Sequence, residues 1–267
     1  MPSDPLHIAR YRTDGEVHHG RREPGGYVRW SAPPWLGGRE TGPLDPADRV
    51  TLLPPVVPTK IVCIGLNYRA HVAESVTVLP GAAPHQAPAE PLMFFKPPSA
   101  VIASGGAIAY PAGVTRLDPE AEMAVVIGRR ARAVGEGDAL SHVAGLTAFN
   151  DVSARNYQRS DGQWTRAKGF DTFAPLGPWI AVGLSPEGLD VTCRVNGVER
   201  QRGNTADLLF PVPALIRFIS SIMTLEAGDV IATGTPAGIA PVERGDRIEV
   251  EVSGVGVLEN CVEDSRT

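Results

Sequence analysis

Two glutamates, Glu120 and Glu122, stand two positions apart at the head of the apolar run Met123–Ile127, in the stretch LDPEAEMAVVIG. Side chains two apart on a strand point to the same side, so the pair shares one face at the edge of a core. Like charges that close repel and raise each other's pKa. A third carboxylate, Asp151, ends the strand-like run AGLTAFND. A carboxylate there costs free energy unless it is paired or bound to a cation. Three carboxylates with no histidine among them suit a hard, oxygen-preferring ion such as Mg²⁺ or Mn²⁺, with Ca²⁺ overlapping in preference. The plain alternative is that the acids face solvent.

Other residues extend the set. His71 and Glu74 in NYRAHVAES are three apart, neighbours on a helix face. A glutamate that orients an imidazole makes a general base at neutral pH, although exposed pairs of this kind are common. Lys168 lies in RAKGFDTFAPLGP, outside any charge run, where it could steady an anion near a cation site or simply snorkel. Lys96 in FFKPPSA is a weaker candidate of the same type. TGTPAG, residues 233–238, has turn chemistry and could present Thr235 and backbone N–H groups to an anion. It lacks the pattern of a phosphate loop.

Strands must hold these groups. KIVCIGLNY, PLMFFK, EMAVVIG and HVAGLTAFND read as strands, and YRAHVAES as a short helix with Asn67 as N-cap. PVPALIRFISSIMTLEAG has helical spacing and is expected to end near Gly228. GDVIATGTP opens another strand, and GDRIEVEVSGVGVLENCV alternates as a β-ribbon. The Pro/Ala-rich loop from about His71 to Pro91 is expected to act as a lid. Residues 1–58 read as a small β unit, with LHIARYR pairing GGYVRWS across TDGEVHHGRREP, then a proline-rich linker; residues 59–267 form the main domain. The 25 prolines, 29 glycines and few long helical patterns predict a mostly-β, α+β fold.

The bulk properties narrow the function. A net charge of −5 argues against a nucleic-acid binder. No apolar run approaches the roughly 20 residues that span a bilayer, and the N-terminus has no signal-peptide core. Cys63, Cys193 and Cys261 are scattered, which predicts free thiols and a cytoplasmic protein.

In order, GLNYRAHVAE, FFKPPSA, DPEAEMAVVIG, FNDVSARNYQ, AKGFDTFAPLGPW and GDVIATGTPAG resemble the fumarylacetoacetate hydrolase family from about Lys60 to Val262. The resemblance implies a mixed β-sandwich or β-roll core with a small N-terminal β domain, and usually a homodimer. It implies Glu120, Glu122 and Asp151 as metal ligands and His71 with Glu74 as a catalytic dyad. Lys168 matches the lysine that faces the metal. Tyr68 belongs to the matched N-Y-x-x-H-x-x-E pattern, and Arg155, Gln158 and Thr235 match substrate-contacting positions. The implied substrates are 2,4-diketo acids and related 2-oxo acids. The leading expectation is hydrolysis of an acylpyruvate, with the cation and Lys168 stabilising an enolate as the C–C bond breaks. The alternatives are isomerisation of a 2-hydroxyhepta-2,4-diene-1,7-dioate, decarboxylation of a 2-oxo diacid, or a non-catalytic binding domain on the same fold.

Overall fold

The chain opens with antiparallel strands β1 (Leu6–Thr13), β2 (Glu16–Glu23), β3 (Gly26–Trp30) and β4 (Glu40–Pro46), and β5 (Thr51–Leu53) returns along β1. The computed structural model describes residues 5–74 and 86–265. β1 and β3 do not pair with each other, because the stretch between them is itself a strand and each pairs with β2. The sequence of β2, EVHHGRRE, hides this: most of it is exposed or half-buried, so no apolar alternation marks it. Asp14 and Gly15, both at positive φ, make the tight turn from β1 into β2.

Beyond Lys60 come β6 (Ile61–Gly65), α1 (Arg69–Glu74), β7 (Leu92–Lys96), β8 (Val101–Ile102), β9 (Ala107–Tyr110), β10 (Leu117–Asp118), β11 (Ala121–Ile127), β12 (Val143–Asn150) and β13 (Ser153–Ala154). Two short helices follow, α2 (Arg155–Ser160) and α3 (Thr165–Lys168). Then come β14 (Ala174–Val182), β15 (Asp190–Val195), β16 (Val198–Asn204), α4 (Val212–Ile222), β17 (Val230–Ala232), β18 (Arg247–Val252) and β19 (Gly256–Asp264).

The fold is mostly β. One sheet of twelve strands runs β4-β3-β2-β1-β14-β12-β11-β17-β6-β7, with β5 on β1 and β8 on β14. The N-terminal strands thus extend the sheet that carries β11 and β12, through the pairing of Leu6–Ile8 with Ile180–Val182. A five-stranded sheet, β16-β15-β18-β19-β9, packs across β11, β12 and β14. Met123, Val125 and Ile127 of β11 share that core with Val191, Val250 and Leu258. The alternate residues Ala124 and Val126 pack on the other face with Ile61, Phe149 and Ile180. Burial on both faces is why MAVVI reads as an unbroken apolar run. As expected, β18 and β19 form an antiparallel ribbon.

Two local expectations change, and a third falls partly outside the described residues. α4 stops at Ile222 rather than near Gly228, because Met223 turns extended and Leu225 bridges to Ala131. Asn67 ties distant loops together: its amide donates to the carbonyls of Phe210 and Thr233 and accepts the Phe210 N–H, in place of the expected cap. The expected lid has its middle, residues 75–85, outside the described residues. The three cysteines are unpaired. Among the described residues no helix is long and apolar enough to cross a membrane.

Candidate active site

The ladder between β11 and β12 builds the acidic centre. Ala121 lies opposite Asn150 and Glu122 opposite Phe149, so the start of one strand meets the end of the other. Asp151 donates its N–H to the Glu120 carbonyl at 2.9 Å, and the Asn150 side chain accepts the Glu120 N–H at 3.0 Å. Glu120, Glu122 and Asp151 are all buried, and each offers an oxygen within 4.8 Å of the others.

Cations surround two of these acids and miss the third. Lys168, the last residue of α3, donates to Glu120 Oε2 and Asp151 Oδ2, both at 2.7 Å. Arg155, the first residue of α2, donates to Glu120 Oε1, to Asp118 Oδ2 and to the Gln158 side chain. Glu122 receives a hydrogen bond from the Gly234 N–H at 2.8 Å and has no ion pair among the described residues. Burial, then Asp151 and Glu120, push the Glu122 pKa well above the usual carboxylate range. Burial would raise Glu120 too, but Arg155, Lys168 and His71 outweigh it and hold Glu120 well below that range. The expected repulsion of the pair therefore falls on Glu122.

A second lysine lies beneath Asp151. Lys96 Nζ is 2.8 Å from Asp151 Oδ1, yet it donates to the carbonyls of Val152 (2.9 Å), Lys168 (2.7 Å) and Phe173 (2.7 Å). An ammonium has three protons. The Asp151 contact is therefore one of charge, and Oδ1 has no hydrogen-bond donor among the described residues. This orphaned oxygen and the uncompensated Glu122 fit a divalent cation. All-oxygen donors at this spread suit Mg²⁺, Mn²⁺ or Ca²⁺.

The triad opens into a cleft of about 220 Å³, whose walls include His71, Glu74, Arg116, Arg159, Trp164 and Lys168. A wider groove of about 1010 Å³ adjoins it and shares Phe94, Gln158, Arg159 and Trp164. His71, on α1, is buried, which lowers its pKa against the opposing pull of Glu120. Its Nδ1 is 3.7 Å from Glu74 Oε2, outside hydrogen-bond range, while Glu74 Oε2 accepts the Gly238 N–H at 2.8 Å.

The structure gathers most of the expected residues. Arg155 and Gln158 line the cleft, and Arg155 spends its donors within the protein. Thr235 also lines it, but its hydroxyl donates to the Ala121 carbonyl and accepts from Gln201, and the nearby Gly234 N–H serves Glu122. Tyr68 is buried, its hydroxyl has no hydrogen-bond partner among the described residues, and it does not line the cleft; burial pushes its pKa up. Of Tyr110, Tyr157 and Trp164, aromatic residues that could flank a substrate, only Trp164 lines it. Asp118 went unnoticed in the sequence, although DPEAE extends the period-two acidic pattern by one step. It pairs with both Arg116 and Arg155. Arg116 and Arg159 carry no sequence signal of their own.

Comparison with known proteins agrees with this architecture. Residues 60–263 match the family described as fumarylacetoacetate (FAA) hydrolase C-terminal, and residues 6–55 match the family described as Rv2993c-like, N-terminal. The chain belongs to the fumarylacetoacetate hydrolase family. It is 40% identical to the mitochondrial oxaloacetate tautomerase FAHD2A of Bos taurus, over 82% of this chain and 72% of that one. Among solved structures it resembles a 2-hydroxyhepta-2,4-diene-1,7-dioate isomerase from Mycobacterium marinum, with 36% identity and TM-score 0.88 over 98% of this chain and 100% of that one. A maleylpyruvate hydrolase from Sphingobium sp. SYK-6, solved with manganese(II) and pyruvate, is 28% identical with TM-score 0.77, over 98% of this chain and 100% of that one.

Proposed function

We propose that this protein is a divalent-cation-dependent enzyme that moves a proton between carbon and oxygen, or between two carbons, of a 2-oxo acid bearing a second carboxylate. It is then a tautomerase or isomerase. The observation that carries this reading is His71: a buried imidazole in the acidic cleft, kept neutral by burial, with Nδ1 lacking a hydrogen-bond partner among the described residues and Glu74 engaged by Gly238. A neutral ring can take a proton from carbon without a bound carboxylate to orient it. The tautomerase and isomerase relatives, at 40% and 36% identity, are somewhat more similar in sequence than two hydrolases at 34% and 28%.

When bound by Glu120, Glu122 and Asp151, a divalent cation supplies Lewis-acid polarisation of the substrate carbonyl. Lys168 has two of its protons on Glu120 and Asp151 and a third for the 2-oxo oxygen, where negative charge develops as the proton leaves carbon. His71 accepts that proton and returns it to oxygen for tautomerisation, or to another carbon for isomerisation. Arg155 holds Glu120 in place. Arg159, exposed on the cleft wall, receives the second carboxylate.

A second reading is hydrolysis of a 2,4-diketo acid, with His71 and Glu74 activating water. It is favoured by the adjoining groove of about 1010 Å³, which gives room for an acyl group. One experiment separates the two. Purified protein with Mn²⁺ is given enol-oxaloacetate, a 2-hydroxydienoate and acetylpyruvate. The expected result is faster decay of enol absorbance, or a shifted diene, with no acetate. Acetate release with no effect on the enol or the diene would reverse the order of the readings, and CO₂ release would mark a decarboxylase.

A further inference from the structure

Only three of the chain's 25 basic Lys and Arg residues are lysines: Lys60, Lys96 and Lys168. Each contacts a buried aspartate, Lys60 on Asp229 and the other two on Asp151. Elsewhere the chain uses arginine, so these three positions point to a need for a compact ammonium. Lys168 has a place in the reading above. Lys96 does not.

We infer that Lys96 is a positioning residue that fixes Asp151 and Lys168 relative to each other, and so leaves Lys168 as the one ammonium free to turn to a ligand. Lys96 ends β7 and is 1% exposed, with its ammonium turned to carbonyls of the chain. Its three protons gather three separate segments at one nitrogen: Val152 just past β12, Lys168 at the end of α3, and Phe173 just before β14. Val152 follows Asp151 in the chain, and the Lys168 carbonyl belongs to the residue whose ammonium meets Asp151 Oδ2 at 2.7 Å. The two residues are thus joined twice, through their side chains above and through Lys96 below. This closed ring leaves neither free to shift without the other.

Charge completes the device. Lys96 Nζ sits 2.8 Å from Asp151 Oδ1 with no proton left to give it. It neutralises the carboxylate while leaving that oxygen open to a cation. A guanidinium could not do this, because its donors lie in one plane and splay as a fork.

The inference rests on reading the acidic triad as a cation site, and not on which reaction follows. Its test uses the full-length protein and Mn²⁺ as the probe, followed by calorimetry and by thermal midpoint. Lys60→Met should melt lower but bind Mn²⁺ as wild type does. Lys96→Met should bind Mn²⁺ at least about tenfold more weakly while its far-UV spectrum remains native, and Lys96→Arg should not restore it. Unchanged or tighter binding by Lys96→Met would overturn the inference, since a lysine that merely competes for Asp151 would on removal release it to the ion. Wild type that binds no Mn²⁺ would instead overturn the cation site itself.

A second measurement needs no Lys96 variant. In protein labelled with ¹⁵N-lysine there are three ammonium signals, two of them assigned by their loss in Lys60→Met and Lys168→Met. The third, Lys96, should exchange slowly with water and stay in place when Mg²⁺ and oxalate are added, while the Lys168 signal moves. A Lys96 signal that moves as far as that of Lys168, or exchanges as fast as that of Lys60, would sink the proposal.

Discussion

Asp45 in the N-terminal strands and Asp151 at the end of β12 are both buried acids, 7% and 1% exposed, and both meet basic side chains. They are completed differently. Arg29 grips both oxygens of Asp45, at 2.7 and 2.8 Å, and the Tyr11 hydroxyl adds a bond of 2.6 Å. Every demand of that carboxylate is met by protein donors. Asp151 touches two lysines and still has one oxygen without a donor, next to Glu122, which has no ion pair among the described residues. Buried charge alone does not distinguish a functional acid from a structural one. The unmet oxygens do: a network whose acceptors are all satisfied holds the fold, whereas one that leaves a buried carboxylate oxygen without a donor among the described residues is shaped for something the chain does not itself contain.

The comparison can be broken most sharply at Glu122. Glu122→Gln should lower Mn²⁺ affinity and turnover by at least roughly 100-fold, since even residues behind the ligands of metal sites cost 10–100-fold. It should also lose the stabilisation that Mn²⁺ gives wild type, about 2.7 kcal/mol at 100 times Kd. Calorimetry and paired thermal scans check both, and full Mn²⁺ affinity in the variant would remove Glu122 from the site. Asp45→Asn should do the reverse. It should cost about 1–2 kcal/mol in denaturant unfolding, less than the roughly 3–5 kcal/mol of a fully buried pair because Arg29 is partly exposed, and leave Mn²⁺ binding unchanged.

The smallest effect is one of pH. The bond from Arg29 holds the Asp45 pKa below the usual carboxylate range, against the opposing push of burial and with help from Tyr11. Such a group contributes stability that is fully present above its unfolded pKa of about 3.9 and lost as pH falls through its lower folded value. The melting gap between wild type and Asp45→Asn should therefore be constant near neutrality and close on acidification below about pH 4. A gap that widens in acid would contradict the assigned direction.

Much of the centre could be read in the sequence, because local spacing encodes it. Glu120 and Glu122 declare themselves by period two beside a run buried on both faces, and Asp151 by its place at the end of a strand. The order of the motifs then supplied the family. What the sequence hid depends on partners far along the chain. Asn67 looks like a helix cap, but its amide is used by Phe210 and Thr233. Lys96 looks like an isolated charge before two prolines, yet its three acceptors lie 56 to 77 residues away. β2 shows almost no apolar pattern because two neighbouring strands, rather than a core, define it.

The seam between β1 and β14 has a consequence for the chain's behaviour in solution. β14 is an apolar strand, and Ile180–Val182 at its end are covered along one side by Leu6–Ile8. Without the first strands those residues would offer unpaired backbone groups along an exposed rim, the kind of template on which chains join edge to edge. The N-terminal segment is therefore expected to shield the large sheet from self-association. Light scattering during refolding of a chain lacking residues 1–55 should show aggregates at concentrations where the full chain stays clear, and equal clarity of the two would remove that role.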